Sequence, residues 1–366
     1  MAKKKKVTKF DEQIFNDICT EYGDIIKRGS EILDDMEDYK VLSVSPAIDI
    51  ALGGGLKEGT CVIITGDPKT GKSTTALHFA AKAQKAGKHV VYYDVEARLE
   101  KKNFKVKDID THALKVFGPT SSNPLITAEQ YLNAAEKIIA DMKDLVLIVD
   151  STSCMVPAAE LLEELKTSVR SGMPRLFSMF LKRISGNIRA NKAIVIFITH
   201  NITNTSGMGY GPKKNSDGGV MLQYQASTNM IITHNTKWES NGSNVGQGVQ
   251  WTIKASAAGG FPKSKAESWL RYGEGLDEGR EIAFLAVDLT LIKKSGTWYT
   301  IQYAIDNLDH KAIKNTLTNN NIDPKDKDKV SAFFRAQGMD NLSDIINNNP
   351  ELSEFLYDKI KEITNT

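Results

Sequence analysis

The stretch "GDPKTGKST", residues 66–74, constrains this chain more than any other. It follows the apolar run "TCVIIT" and precedes "TALHFAAKAQKAGK", so strand, glycine-rich loop and helix are expected in that order. Gly66, Gly71, Lys72 and Ser73 occupy the fixed positions of G-x-x-x-x-G-K-[ST]; Asp67, Pro68, Lys69 and Thr70 lie between them and Thr74 follows. Glycines let such a loop turn tightly with its N–H groups inward, and the helix start adds the positive end of its dipole. The loop is therefore expected to cradle phosphates. Lys72 would reach the β- and γ-phosphates and the Ser73 hydroxyl would ligate Mg²⁺. A glycine-rich turn with an exposed lysine is the simpler alternative, but it leaves the match of pattern and context unexplained.

From about residue 40 to 270 short β-branched runs alternate with helical periods: "TCVIIT", "HVVYYDVE", "LVLIVD", "AIVIFIT", "TNMIIT" and "VQWTIKA". Continuous apolar runs suit strands covered on both faces, which predicts an α/β fold with a mostly parallel sheet and helices on both faces. Beyond about residue 270, "SWLRYGEG", "GTWYTIQY", "VSAFFRAQG" and "ELSEFLYDKIKEI" predict a small C-terminal α+β domain over 271–366. Residues 1–39 are expected to hold a lysine tail, an amphipathic helix over 10–28 and the linker "GSEILDDMEDYK"; the helix carries Phe10, Ile14, Ile18, Tyr22, Ile25 and Ile26 on one face.

In an open α/β sheet the ligand lies beyond the carboxyl ends of the strands, which gives polar residues there their weight. "LVLIVD" ends in Asp150, a carboxylate in the form that holds the Mg²⁺ water shell; a helix N-cap is its structural alternative. "HVVYYDVE" ends in Asp94 and Glu96, which share a strand face by the period of two, and either could orient an attacking water. Glu96 is favoured because it lies nearer the strand end. His200 closes "AIVIFITH", where it could be a core histidine or could donate a hydrogen bond to a γ-phosphate.

After His200 comes "NITNTSGMGYGPKKNSDGG", residues 201–219, with Gly209, Gly211, Gly218 and Gly219 among its five glycines, Lys213 and Lys214 paired, and Tyr210 as a lone aromatic. Long loops without internal structure are usually functional or disordered. Here glycines and lysines could track a phosphate backbone while Tyr210 stacks on bases. Arg175, Lys182 and Arg189 recur every seven residues and so share one helix face, opposite Leu176, Phe180, Ile184 and Ile188. Such a stripe is either a solvated face or part of a nucleic-acid site. The formal charge of +2 excludes a histone-like electrostatic binder, so any nucleic-acid contact must be local. Three scattered cysteines suit a reducing compartment, and neither a membrane-length apolar run nor a signal peptide is expected.

"SVSPAIDIALGGGLKEGTCVIITGDPKTGKSTT", "LVLIVDSTSCMVPAAEL", "IFITHN", "DGGVMLQYQAS" and "LRYGEGLDEG…GTWY" follow one another as in RecA-type recombinases, and the chain resembles that family, with features closer to the phage UvsX branch. The resemblance runs from about residue 10 to 300. It implies a RecA-like ATPase core that binds ATP and Mg²⁺, forms a helical filament on single-stranded DNA, pairs it with homologous duplex, and hydrolyses ATP in a DNA-stimulated way. It also implies Glu96 as the water-activating glutamate and His200 as the γ-phosphate sensor, where bacterial RecA has glutamine and phage relatives have histidine.

The same resemblance assigns residues 160–173, with Arg170, and 201–219 to two DNA-binding loops, and Arg175 and Lys182 to DNA contact. It sends Lys254 to the ATP of the adjacent subunit, Tyr224 near a subunit interface, and the N-terminal helix onto the next protomer. Single-strand-binding and mediator proteins are implied as further partners, and the cytoplasm, a host's if the protein is viral, as the compartment. The chain departs from bacterial RecA at Ser256, where a second trans-acting lysine stands in that protein. The early basic residues of the second loop and an acidic C-terminal run are also missing. A hexameric helicase of the same core, a regulatory ATPase, and a paralogue that binds DNA without exchanging strands are the competing readings.

Overall fold

A computed structural model of the 366-residue chain describes residues 9–23, 26–161, 172–203, 214–216, 219–240 and 242–366. It divides into two compact units, residues 1–40 and 41–366. In the first, α1 (Lys9–Tyr22) is followed by α2 (Gly29–Glu37), so most of the stretch expected as linker is helical. The single helix expected over 10–28 instead stops before Gly23, whose φ of +84° lies in the left-handed region that favours glycine.

The second unit is built on a ten-stranded sheet among the described residues. In chain order its members are β1 (Thr60–Gly66), β2 (His89–Asp94), β3 (Lys115–Phe117), β4 (Leu145–Asp150), β5 (Ile194–Thr203), β6 (Lys214–Ser216), β7 (Thr228–Ser240), β8 (Ser243–Ala255), β9 (Lys265–Arg271) and β10 (Gly275–Leu276). Spatially they run β10-β9-β8-β7-β1-β5-β4-β2-β3, with β6 paired to β5. The pairs from β7 through β3 are parallel, whereas β8, β9 and β10 add an antiparallel flank. This is an α/β fold, a mostly parallel sheet with helices packed on both faces.

Alternation along the strands divides the core into two layers. Val62, Ile64, Val146 and Ile148 pack with Leu77, Phe79 and Ala80 of the helix Lys72–Lys85. Cys61, Ile63, Leu147 and Val149 pack with Tyr131 and Leu132 of the helix Ala128–Asp141 and with Phe180, Ile184 and Ile188 of the helix Met173–Ala190. With β1 buried along its whole length, an apolar run without polar alternation is what a strand covered on both faces requires.

Four local expectations change. The strand expected through Glu96 ends at Asp94, because the Asp94 carboxylate accepts hydrogen bonds from the backbone N–H groups of Arg98 and Leu99, at 3.0 Å each, and closes a turn. Residues 201–219, expected to lack internal structure, contain the end of β5 and all of β6, paired antiparallel with Asn201 opposite Ser216 and Thr203 opposite Lys214. The segment "VSAFFRAQG" is only partly helical: the helix Lys327–Phe333 gives way to the strand Arg335–Gln337. That strand pairs with Trp298–Thr300, which pairs with Lys293–Ser295, in a small antiparallel C-terminal sheet. Its core includes Ile282, Tyr299, Phe334, Leu342 and Leu356. The main sheet itself continues past residue 270, to Leu276.

Candidate nucleotide site

The phosphate loop closes between β1 and the helix that starts at Lys72. Gly71 caps that helix at φ +100°, and a Cβ there would lie 2.1 Å from Leu270 Cδ1. Gly66 is required by crowding, since its Cβ would stand 2.6 Å from the Ile232 carbonyl oxygen. Thr70 Oγ1 donates to the Asp67 carbonyl at 2.8 Å, and Gln247 Nε2 reaches across from β8 to the Lys69 carbonyl at 3.2 Å. Lys72 Nζ turns inward to the carbonyl oxygens of Gly66 and Asp67, 2.9 Å from each. Burial lowers its pKa, and the carboxylates of Asp150, Glu96 and Asp67 oppose that shift.

Parallel strands bring their carboxyl ends to one edge of the sheet, and the polar residues gather there. Asp150, last in β4, accepts from Tyr92 Oη at 2.5 Å and from Ser73. Burial raises its pKa against these hydrogen bonds. Glu96 Oε1 accepts from Ser151 Oγ at 2.6 Å and from His200 Nε2 at 2.8 Å, while Oε2 pairs with Arg98 Nη1 at 2.8 Å. Burial pushes this carboxyl up, but the hydrogen bonds from Ser151 and His200 and the charge of the Arg98 guanidinium outweigh it and hold the pKa below the ordinary value. An ionised carboxylate only accepts, so His200 Nε2 carries the proton; its Nδ1 is buried without a hydrogen-bond partner. Cys154 also faces Glu96, and its thiol pKa is raised by burial and by that negative charge.

A cavity of about 720 Å³ is lined by Pro68, Lys69, Gly71, Lys72, Ser73, Thr74, Asp94, Glu96, Asp150 and His200, so these expected site residues surround one space. Asp94 differs from Glu96 in that both its oxygens are engaged by the turn. Asn201 Nδ2 donates to Asp67 Oδ1 at 3.0 Å and ties the residue after His200 to the phosphate loop.

Lys254 lies elsewhere, exposed on β8 between the positions paired with Asn229 and Met230 and outside this cavity. Ser256 is used structurally, its Oγ donating to the Leu52 carbonyl at 2.5 Å. Arg175, Lys182 and Arg189 are exposed on the helix Met173–Ala190. Lys214 is the first residue of β6, and Gly219 begins the helix Gly219–Gln225. Arg170, Gly209, Tyr210, Gly211, Lys213 and Gly218 lie outside the described residues.

The cavity also contains residues that sequence reasoning missed: Tyr92, Arg98, Gln247, Arg271 and Tyr272. Tyr272 had a signal, an aromatic within "LRYGEG", and its ring stands 57% exposed on the wall. Gln247 had none, because it comes from the antiparallel flank.

Ser73 and Asp150 offer a hydroxyl and a partly buried carboxylate already hydrogen-bonded to each other. That all-oxygen donor set fits a Mg²⁺ ion that completes its shell with water and phosphate. Fold and cavity together define a phosphate-loop α/β protein.

Residues 11–277 match the RecA N-terminal domain. The chain is similar to the RecA protein of Mycobacterium avium, at 30% identity over 88% of this chain and 90% of that protein. It is 31% identical to that of Chlorobium limicola over 72% and 74%, and 26% identical to that of Lactobacillus johnsonii over 93% and 84%. The chain belongs to the RecA family.

Proposed function

We propose that this protein is an ATP-dependent DNA recombinase akin to the phage UvsX branch, forming filaments on single-stranded DNA and coupling homologous pairing and strand exchange to ATP hydrolysis. The observation that carries the reading is the hydrogen bond from His200 to Glu96, placed where β5 runs on into the second loop.

ATP occupies the cavity with its phosphates on the loop amides, and Lys72 exchanges its two carbonyl partners for phosphate oxygens. Ser73 and Asp150 would hold Mg²⁺, which would neutralise phosphate charge. Glu96 accepts a proton from the attacking water, and His200 turns between Glu96 and the γ-phosphate. Because Asn201 follows His200 and is bonded to Asp67, the phosphate loop and the root of the second loop move together.

DNA lies along residues 160–173 and 201–219 and against Arg175 and Lys182, with Tyr210 stacking on bases. Neighbouring copies complete the filament. Lys254 is free of its own cavity to reach another, Tyr224 is 81% exposed, and Ile14, Phe15 and Tyr22 of the N-terminal segment 1–39 present apolar surface. The segment from residue 40 to the end of the main sheet at Leu276, six residues past the expected boundary at 270, acts as the ATPase core and the rest of 271–366 as the smaller appended domain, working in the cytoplasm, a host's if the protein is viral. Sequence choice resides in base pairing between the bound strand and the incoming duplex.

ATP hydrolysis with and without single-stranded DNA, followed by a strand-exchange assay on the same preparation, tests the proposal. Stimulated hydrolysis with exchange supports it. Rings in place of helical filaments under the electron microscope point to a helicase, and stimulation without exchange points to a mediator paralogue. Tyr210→Ala is expected to weaken DNA binding without emptying the ATP site.

A further inference from the structure

Glu96 and Arg98 stand two residues apart in one turn, separated by Ala97 at φ +51° and fastened by the Asp94 carboxylate to the backbone N–H groups of Arg98 and Leu99. That geometry sets the Arg98 guanidinium over Glu96 Oε2, the oxygen that neither Ser151 nor His200 uses. The two partners differ sharply in exposure, the Arg98 side chain at 78% and that of Glu96 at 11%. Arg98 is therefore the solvent side of an otherwise enclosed carboxylate, and it also lines the nucleotide cavity.

A general base needs an oxygen open to the water it deprotonates. While His200 stays on Glu96, it and Ser151 fill Oε1, so water reaches the carboxylate at Oε2, where Arg98 competes with it. We infer that Arg98 is a positioning residue that latches the water-activating glutamate and restrains ATP hydrolysis until the latch opens. The inference rests on Glu96 being that base. The contact is a single one from Nη1, so an ammonium can replace it, and the turn survives removal of the side chain because Asp94 holds only the Arg98 backbone.

The test compares wild type, Arg98→Ala, Arg98→Lys and Glu96→Gln for steady-state ATP hydrolysis, with and without single-stranded DNA. Exposed ion pairs are weak, so Arg98→Ala is expected to raise DNA-independent kcat by about threefold, with KM for ATP changed by less than about twofold. DNA-stimulated kcat stays near wild type, so the stimulation ratio shrinks, and Arg98→Lys restores the low basal rate. Unchanged or lower basal turnover in Arg98→Ala, or failure of lysine to restore it, overturns the latch while leaving the recombinase reading intact. If wild type shows no DNA-stimulated hydrolysis, or Glu96→Gln turns over normally, the reading beneath it fails instead.

Discussion

His200 and Glu96 lie 104 positions apart in the chain and are joined by a 2.8 Å hydrogen bond from Nε2 to Oε1. β5 and the turn after β2 meet because both strands run parallel with β4 between them, so their carboxyl ends share one edge of the sheet. Glu96→Gln is expected to cut turnover by roughly 10²- to 10⁴-fold, the usual contribution of a general base, with ATP binding little changed. His200→Ala should retain ATP binding and lose most DNA stimulation. Full stimulation in the His200 variant, read by phosphate release, would count against its place in the coupling.

Lys72 is the one ammonium held inside the phosphate loop among the described residues, 2.9 Å from two of its carbonyl oxygens. Lys72→Ala should reduce nucleotide turnover by at least about 100-fold, since both phosphate positioning and charge neutralisation are lost. Turnover at the wild-type rate would remove the loop from the chemistry.

The bond between Asn201 and Asp67, at 3.0 Å, ties the phosphate loop to the start of the segment 201–219. Linkage requires that DNA tighten ATP by the same factor by which ATP tightens DNA. Asn201→Ala is expected to reduce that factor severalfold in both directions while leaving ATP affinity without DNA unchanged. Equilibrium titration of a fluorescent ATP analogue, with and without oligonucleotide, measures it. An undiminished factor would show that the tie carries no coupling.

Tyr272 offers an exposed ring on the cavity wall, near the glycines at 273 and 275. Stacking of a base on an aromatic ring is worth ~1–3 kcal/mol, so Tyr272→Ala should raise KM for ATP about tenfold and Tyr272→Phe should leave it near wild type. Equal losses in the two variants would mean that the hydroxyl, and not the ring, is what matters.

Glu281 is wholly buried, and burial lifts its pKa to about 8 against hydrogen bonds from Ser45 Oγ at 3.1 Å and the Ala47 N–H at 2.8 Å. Asp49, raised to about 6 chiefly by burial, acts in the same sense. Between the ordinary value of 4.5 and about 8 the folded state holds more protons at Glu281 than the unfolded state does. The unfolding free energy therefore falls as pH rises through that window. Tm should drop by several degrees between pH 5 and pH 8, and Glu281→Gln should flatten much of that slope. The same slope in wild type and variant would place the titration elsewhere.

Much of the candidate site was legible in the sequence because its signals are local. The spacing from Gly66 to Ser73 sets a backbone path, and the apolar runs before Asp150 and His200 mark strand ends. The choice between Asp94 and Glu96 could not rest on strand alternation, since the strand stops at Asp94, whose carboxylate is consumed by the turn. Tyr92, Gln247 and Arg98 escaped notice because each gains its meaning from a partner on another element or beyond a turn.

By itself the sequence determined the phosphate loop, the two-faced burial of the strands and the heptad-spaced cations on the exposed side of the helix Met173–Ala190, all consequences of side-chain period and backbone freedom. Only the tertiary structure decided that Glu96, Ser151 and His200 converge, that Arg98 covers the remaining carboxylate oxygen, and that Lys254 lies outside its own cavity. Strand order and the closure of turns set those distances, and they are fixed by packing between segments far apart in the chain, which no local spacing encodes.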